Sequence, residues 1–268
     1  MPFDPSPADD CRIATLAQLA PDGAWQTALA HARRSHLLIW LTKGSAKLML
    51  AGKCHDAGPY SLLNIPAGTL WSAAFSADAE ARILAAAAEP AALPPAPLCL
   101  RVADPEHQAG IGTLFDAMQG EQQGGAALWQ RALHAYCDLA GILLQRLLPA
   151  GPLEQRPPAA ERLCRAYCAR IAEYRSAHSN MAGHAAALKV TPTHLTRVCK
   201  QETGKTAAAL LTEHQLHAAR SLLIGSDLPI RDIAGQLGFG SAAYFTRFIS
   251  QHTGRTPSEL RRSARTTA

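Results

Sequence analysis

Short apolar runs alternate with turn residues in the first third of the chain. Each run is long enough for one strand, and glycine, proline, serine or aspartate separates it from the next run. Runs of this length and spacing are typical of a small antiparallel barrel or sandwich. The predicted strands are His36–Leu41, Ala46–Leu50, Tyr60–Ile65, Leu70–Phe75 and Arg82–Ala86.

Helical periodicity replaces this pattern after Pro94 and Pro95. It predicts helices over Pro105–Met118 and Ala126–Leu148. The second helix carries an apolar stripe that must be buried against the strand region or against a second subunit. The members of this stripe are Leu128, Ala132, Leu139, Ile142, Leu143 and Leu147.

A proline-rich segment, PAGPLEQRPPAA at residues 149–160, interrupts the helical pattern and predicts an interdomain linker. The charge balance changes at the same place: residues 1–150 hold 10 basic and 13 acidic side chains, and residues 151–268 hold 16 and 8. A basic half joined to a slightly acidic half indicates a nucleic-acid-binding module attached to a sensing or assembly module. Simple drift of surface charge would give the same split.

The C-terminal part contains an internal repeat. Residues 191–206 read TPTHLTRVCKQETGKT, and residues 241–256 read SAAYFTRFISQHTGRT. Upstream of each copy, an alanine is followed three residues later by a leucine. Each copy therefore predicts a short helix, a tight turn and a second helix whose N-terminus is capped by Thr191 or Ser241. This order is the pattern of a tandem helix-turn-helix.

The second helix of each copy has an inward and an outward face. The apolar positions, three residues apart, are Leu195 and Val198 in one copy and Phe245 and Phe248 in the other. The outward positions, which are candidate DNA contacts, are Thr193, Thr196, Arg197, Lys200, Ser241, Ala242, Ala243, Thr246 and Arg247. Arginine reads the O6/N7 edge of guanine and threonine touches a thymine methyl group, so base reading in a major groove is one interpretation. Phosphate contact, or plain solvation, is the alternative for Arg197 and Arg247.

Apolar residues at helical spacing between the two copies predict a long connecting helix over Ala207–Ile224. A rigid helix there would fix the separation of the two units. Both recognition helices would then enter successive major-groove turns ~34 Å apart on one face of the duplex.

The segment IRDIAGQLGFGSAAYFTRF from Ile230, continued by TGRTP at Thr253–Pro257, resembles the signature of the AraC/XylS family of bacterial transcription regulators. The resemblance covers roughly residues 163–262. It implies sequence-specific binding to double-stranded DNA, RNA polymerase as a partner, and base contacts from the outward threonines, alanines and arginines named above. Gln215 and His217 depart from the family pattern, which usually has an arginine and an acidic residue there.

The N-terminal half resembles the sensor of the same family, a cupin-type barrel followed by dimerisation helices, through its general layout and the segment GPYSLLNIPAGTLW at residues 58–71. The fold class expected is therefore α+β. The resemblance implies a small-molecule effector and a homodimer. The expected divisions are a barrel over 1–98, a helical dimerisation element over 99–150, a linker over 151–160 and a DNA-binding domain over 161–268.

Candidate ligand-binding residues follow from strand alternation, because alternate side chains share one face. They are His36, Trp40, Tyr60, Trp71 and Phe75, which would line one apolar pocket; as ordinary core residues they would bind nothing. Metal-binding cupins commonly place a histidine after the Pro-x-Gly turn, where this chain has Trp71. His31 and His36, five residues apart without a nearby glutamate, have poor spacing for metal ligands. We therefore expect no metal, no cofactor and no enzyme activity.

Cysteine usage and the N-terminus bear on where the protein works. Seven scattered cysteines indicate reduced thiols. Cys164 and Cys168 are expected to be buried packing residues, and the alternative is a redox or metal-binding pair. With no apolar run long enough for a membrane span and no signal-peptide pattern, a soluble, cytoplasmic protein is expected. Three functional classes follow: a ligand-responsive regulator, which is favoured, a metal-dependent cupin enzyme, and a DNA-binding protein without sequence preference.

Overall fold

The structure is a computed structural model that describes residues 11–86, 92–148, 157–173 and 181–267. Most of the predicted linker lies outside these ranges. The strands are β1 (Cys11–Thr15), β2 (His36–Lys43), β3 (Ala46–Leu50), β4 (Lys53–Ala57), β5 (Ser61–Ile65), β6 (Trp71–Phe75), β7 (Glu80–Ala86) and β8 (Leu98–Arg101). The helices are α1 (Leu16–Leu19), α2 (Trp25–Ala28), α3 (Pro105–Gly124), α4 (Trp129–Leu147), α5 (Ala159–Glu173), α6 (Met181–Ala187), α7 (Pro192–Thr203), α8 (Ala207–Gly225), α9 (Ile230–Gln236), α10 (Ala242–Thr253) and α11 (Pro257–Thr267).

The strands form two antiparallel sheets, one in the order β1-β7-β2-β5-β8 and one in the order β4-β3-β6. Alternate residues of β2, such as Leu37 and Ile39, face the second sheet and share an apolar core with Leu48 and Trp71. In the parts of the chain that the structure describes, the strand ladders leave the two sheets separate and do not close a barrel. The N-terminal region is thus strand-rich, the C-terminal region is helical, and the fold is α+β.

The other face of the five-stranded sheet packs against α3 and α4. Leu38 and Trp40 of β2 lie here, in one apolar cluster with Phe115 and Leu133. The face of α4 that packs on the sheet consists of Leu133, Cys137, Ala140 and Leu144, and Gly141 lies against the backbone of Ala92.

The predicted stripe on α4 is therefore only partly the face buried against the strands, since Leu143 and Leu147 pack against this cluster but other members do not. Leu139 and Ile142 are 42% and 43% exposed, and Leu128, just before the helix, is 68% exposed. The physical reason is that apolar residues surround α4 on more than one side, so periodicity alone does not tell which side the sheet covers. Burial of the stripe against a second subunit stays a prediction.

The C-terminal helices form two apolar clusters. The first contains Tyr167 of α5, Leu195 of α7 and Leu210 of α8. The second contains Leu223 of α8 and Phe245 of α10, with Ile233 and Leu260 from the helices on either side. The connecting helix α8 contributes to both clusters, so the two helix-turn-helix units are joined by a continuous packed element.

The five predicted strands are confirmed, with bounds shifted by at most two residues, as β2, β3, β5, β6 and β7. Strands β1, β4 and β8 were not predicted. In β4, a sheet-edge strand, only Ala57 is buried, so its residues do not alternate between apolar and polar. β8 lies inside the range expected to be helical. Among the described helices, none is long and apolar enough to cross a membrane.

Candidate nucleic-acid interface

The recognition helix of the first unit, α7, is fixed at both ends by its sequence. The hydroxyl oxygen of Thr191 accepts a hydrogen bond from the backbone N–H of His194 at 3.2 Å, which satisfies one of the free donors at the helix start. Gly204 ends the helix in the left-handed conformation, with φ of 71°. Leu195 and Val198 are buried as predicted.

The recognition helix of the second unit, α10, repeats this construction. The hydroxyl oxygen of Ser241 accepts from the backbone N–H of Tyr244 at 3.1 Å, and Gly254 ends the helix with φ of 69°. Phe245 and Phe248 are buried as predicted, each with its ring centroid 5.1 Å from that of Phe239. The predicted capped helices of the repeat are thus confirmed.

The turn inside each unit is also built alike. In the first unit, the N–H of Val190 donates to the carbonyl of Ala185 at 3.0 Å, and Lys189 has a positive φ of 57°. In the second unit, the N–H of Phe239 donates to the carbonyl of Ala234 at 2.8 Å, and Gly238 has a φ of 76°. One left-handed residue therefore reverses the chain between the two helices of each unit.

The repeated threonine-glycine pair has a structural role at the end of each recognition helix. The hydroxyl of Thr203 donates to the carbonyl of Cys199 at 2.7 Å and accepts from the N–H of Lys205 at 3.2 Å. The hydroxyl of Thr253 makes the same two bonds, to Ile249 at 2.8 Å and from Arg255 at 3.2 Å. These threonines hold the loop to the next helix and do not belong to the reading face.

The candidate DNA contacts lie on the outward faces of the two helices. Thr193, Arg197, Lys200, Ser241, Ala242, Ala243 and Arg247 are exposed, while Thr196 and Thr246 are half-buried. The guanidinium of Arg197 lies 3.2 Å from Nδ1 of His194, one turn earlier on the same helix. No structural observation assigns a base or a phosphate to any of these side chains, so their roles stay predictions.

Sequence reasoning missed Tyr244 on the outward face of α10. Its side chain is 60% exposed, which is unusual for an aromatic residue, and its ring centroid lies 5.9 Å from that of Phe239. Tyr244 occupies the position that His194 has in the first repeat. Alignment of the two copies beyond their identical residues would have revealed this pair.

Two basic side chains close to the two helices already have partners within the protein. Lys205 forms a 2.8 Å ion pair with Glu213. Arg261 donates to the carbonyl of Leu228 at 2.6 Å and to that of Leu223 at 3.2 Å, and so ties α11 to the end of α8. These two cations support the domain, and Arg197, Lys200 and Arg247 are the exposed cations of the outward faces.

The predicted ligand-binding residues are not brought together, and the expectation of one pocket lined by all five is wrong. Trp40 belongs to the cluster on the helix side of the five-stranded sheet, and Trp71 belongs to the core between the sheets, with Phe75 at its edge. The β2 positions chosen for the pocket point away from the second sheet. His36 is engaged by a 2.7 Å hydrogen bond to Asn64, and Tyr60 is 43% exposed.

A small apolar cavity of about 10 Å³, close to the size of one water molecule, lies between the five-stranded sheet and the helices α3 and α4. None of the five predicted ligand-binding residues lines it. Its lining is Leu38, Leu62, Ile111, Leu114, Phe115, Ala140, Leu143 and Leu144.

The remaining candidate chemistry concerns thiols and metals. The predicted burial of Cys164 and Cys168 is confirmed, and both thiols are hydrogen-bonded in one group with Cys199 of α7. A hydrogen bond to Cys164, together with burial, raises the pKa of the Cys168 thiol. Within the described ranges, no group of three or more histidine, cysteine or acidic residues is arranged to hold a metal ion.

Comparison with known proteins agrees with this construction. The model of a helix-turn-helix domain family matches residues 184–263. The regulatory protein YesN of Bacillus subtilis is 38% identical over 77 residues, which are 28% of this chain and 21% of YesN. The arabinose operon regulatory protein of Escherichia coli is 26% identical over 164 residues, 59% of this chain and 53% of that protein.

Among solved structures, the C-terminal domain of AraT, a response regulator from Geobacillus stearothermophilus, is similar to this chain. It is 28% identical and covers 41% of this chain and 88% of its own, with a TM-score of 0.35. This chain spans about half the length, or less, of the curated relatives named above. Residues 184–263 thus match a helix-turn-helix domain family, and the curated relatives named above are regulatory proteins.

Proposed function

We propose that this protein regulates transcription by placing α7 and α10 in two successive major-groove turns of one duplex. The observation that carries this proposal is the repeat itself: two capped helices of equal length with buried apolar faces and exposed outward faces, joined by the packed helix α8. Two units on one rigid connection match a bipartite DNA site. RNA polymerase is the proposed protein partner, as the family resemblance implies.

The two units differ in what they offer to DNA, and we assign them different tasks. The first presents Thr193, Thr196 and Arg197, whose side chains discriminate between bases. The second presents Ala242 and Ala243, which are too short to reach most base edges but let the start of α10 approach the backbone closely. The free N–H groups at that helix start attract a phosphate, so the second unit anchors more than it reads.

This division is tested on duplexes selected from a random pool with the full chain. Arg197→Ala should lose ~1 to 3 kcal/mol on the selected sequence and much less on unrelated duplex, because only the former offers the matching guanine edge. Lys200→Ala should weaken both duplexes alike and reduce the salt slope of binding by about one. Arg101→Ala, an exposed arginine on β8, is the matched control and should change neither.

Two results would contradict the proposal. Failure of the full chain to enrich any sequence would favour a DNA-binding protein without sequence preference. A uniform loss on both duplexes for Arg197→Ala would remove this residue from the reading set and leave discrimination to the two threonines.

We further propose that α4 pairs two subunits. Leu139 and Ile142 support this, since both are apolar, more than 40% exposed and on the side of α4 away from the sheet. Apolar patches on a helix surface mark association sites more often than chance. The expected assembly is a homodimer.

The N-terminal sheets are proposed to hold a small effector in a cupin-like arrangement, without metal, cofactor or catalysis. The apolar cavity between β2, β5, α3 and α4 has room for about one water molecule only, so the family resemblance, and not this cavity, supports the proposal. Mass spectrometry of small molecules released from the purified full chain tests this idea, and a bound metal cofactor would contradict it.

A further inference from the structure

A strap of residues 25–31, which contains α2, crosses the connecting helix α8 and is bonded to it by its backbone. The N–H of Ala30 donates to the carboxylate of Glu213 at 3.1 Å. Nε2 of His217 donates to the carbonyl of Gln26 at 3.1 Å. These two bonds are spaced one helical turn apart on α8, so the strap follows one face of this helix.

The strap also contacts both helix-turn-helix units. Leu29 packs against the apolar cluster of the second unit. The next residue, Ala30, is part of the apolar cluster of the first unit, together with Met49 and Leu70 from the smaller sheet region. The orientation of each unit relative to the other is therefore supported from outside the DNA-binding domain.

Two histidines form the centre of this contact. The rings of His31 and His217 are stacked, with centroids 4.0 Å apart and planes 8° from parallel, and the side chains are 1% and 3% exposed. Trp71 of β6 lies beyond His31 at 4.6 Å between centroids. Trp25 lies against His217 at 5.4 Å. Four aromatic rings thus connect the N-terminal sheets to α8.

The hydrogen bonds fix which nitrogen of each neutral histidine ring carries the proton. Nδ1 of His31 carries a proton, because it lies 2.9 Å from the carbonyl oxygen of Leu29, and Nε2 of His217 carries one for the same reason. Nε2 of His31 and Nε1 of Trp71 are buried and have no hydrogen-bond partner among the described residues. A second proton on His31 would therefore be a buried charged donor without an acceptor.

The charged groups around the stack are mostly basic. Arg33 faces both rings, His214 approaches from α8, and Arg220 lies over the Trp25 ring at 4.1 Å. Asp22 and Glu213 are the carboxylates of this region. Asp22 accepts a hydrogen bond from the side chain of Gln26. Glu213 forms an ion pair with Lys205 and accepts from the N–H of Ala30. Since these carboxylates are engaged elsewhere, a new positive charge on the stack would meet the neighbouring arginines.

Burial and these neighbours keep the stack uncharged at neutral pH. Burial above all, then the neighbouring His217 and Arg33, holds the pKa of His31 well below its usual value. Burial and Arg33 lower the pKa of His217 to about 3. Once the strap leaves α8, the His217 ring and the face of His31 that it covered meet water, so the pKa of each ring rises toward the ordinary value near 6.5.

We propose that the His31–His217 stack is a proton-sensitive latch, which holds the strap on α8 and with it the two DNA-binding units in one relative orientation. Acid releases the strap, because only the released histidines take up protons easily. The recognition faces are exposed while the latch is closed, so the latch changes the alignment of the two units and not their access to DNA. This last consequence rests on the DNA-binding function proposed above.

The size of the effect follows from proton linkage. Contact of the strap with α8 lowers the pKa of each histidine, so this contact is favoured at a pH above the pKa of the released histidine. The contact weakens as the pH falls below the pKa of the released histidine. For two histidines with free pKa values near 6.5, the docking equilibrium should weaken by about 100-fold between pH 7.5 and pH 5.5. The docked state is fully favoured above about pH 7.

Hydrogen exchange on the full chain, corrected for the intrinsic pH dependence of amide exchange, tests the latch directly. Protection of the Ala30 N–H, whose acceptor is Glu213 of α8, should fall steeply below pH 6.5, while protection of β2 and of the His31 N–H, which donates to Trp71, stays constant. The double variant His31→Asn, His217→Gln keeps both donated hydrogen bonds but takes up no proton, so its protection should not depend on pH. His107→Phe, an exposed histidine on α3, is the matched control and should behave as the parent chain.

Equal loss of protection in the parent and in the double variant would overturn the latch. If the double variant does not dock even at pH 7.5, titration of the two ring Cε1–H resonances in the parent decides instead. A pKa near 6.5 for both rings in the docked chain would overturn the proposal, and values below 5 would uphold it.

DNA binding supplies a second, separate readout. Affinity for a duplex with both half-sites should fall between pH 7.5 and pH 5.5 by more than affinity for a duplex with one half-site, and the double variant should abolish that difference. If the chain binds no specific duplex at any pH but the hydrogen-exchange protection of the strap still depends on pH, the proposed function fails and the latch stands. If specific binding is found but exchange does not switch, the latch fails alone.

Discussion

Lys189 and Gly238 occupy the same left-handed position in the turns of the two units, and this equivalence makes a sharp prediction. Holding an ordinary residue in this conformation costs ~1 to 2 kcal/mol, and glycine avoids this cost. Glycine also gains freedom in the unfolded chain, which takes back ~0.5 to 1 kcal/mol. The Lys189 side chain is exposed, so its removal loses little packing. Lys189→Gly should therefore stabilise the protein by about 0.5 to 1 kcal/mol.

The measurement is urea unfolding of the full chain, with a thermal scan in which Tm should rise by about 1 to 4 °C. Lys189→Ala removes the same side chain but keeps the strained conformation, so it separates the backbone effect from loss of the lysine and should give no gain. The reciprocal change, Gly238→Ala, should destabilise the protein by ~1 kcal/mol. If Lys189→Gly lowers stability, or Lys189→Ala raises it equally, the assignment of strain to this turn is incorrect.

Two further predictions concern assembly and the core. Leu139→Glu combined with Ile142→Glu should convert a dimer to a monomer in sedimentation experiments. The control Leu228→Glu, at an apolar residue of similar exposure, should leave the dimer intact. A parent chain that is already monomeric would exclude α4 as the interface. Tyr167→Phe should lower the free energy of unfolding by ~1 to 3 kcal/mol, because the carbonyl of Ala207 loses a buried 2.7 Å hydrogen bond. An unchanged midpoint in urea unfolding would show that this hydrogen bond does not stabilise the protein.

Local pattern and repeat together made the DNA-binding part predictable. The caps at Thr191 and Ser241, the buried positions of both recognition helices and the connecting helix follow from residues close in sequence, and the structure agrees with each. The edge strand β4 was missed because an edge strand with mostly exposed side chains lacks the alternating pattern by which strands are recognised. The sequence contains no local signal for which side of α4 meets the sheet.

The candidate ligand site failed for a different reason. Alternation correctly grouped His36 with Trp40 and Trp71 with Phe75, but it does not say which face of β2 meets the second sheet. Because β2 is buried on both faces, apolar residues on either face looked equally suited to a pocket. His217 shows the same limit, since its contact with His31 joins positions far apart in the chain.

The strap across α8 also affects how freely this DNA-binding domain can be exchanged with that of a relative. In a chimera joined within residues 149–156, the grafted connecting helix would have to present an acceptor for the N–H of Ala30, a flat ring to stack on His31 and a donor for the carbonyl of Gln26. A graft with a charged side chain at position 217 would instead put that charge against the buried rings of His31 and Trp25. Such a chimera would need residues 25–31 exchanged along with the domain, so the transferable unit is discontinuous in sequence.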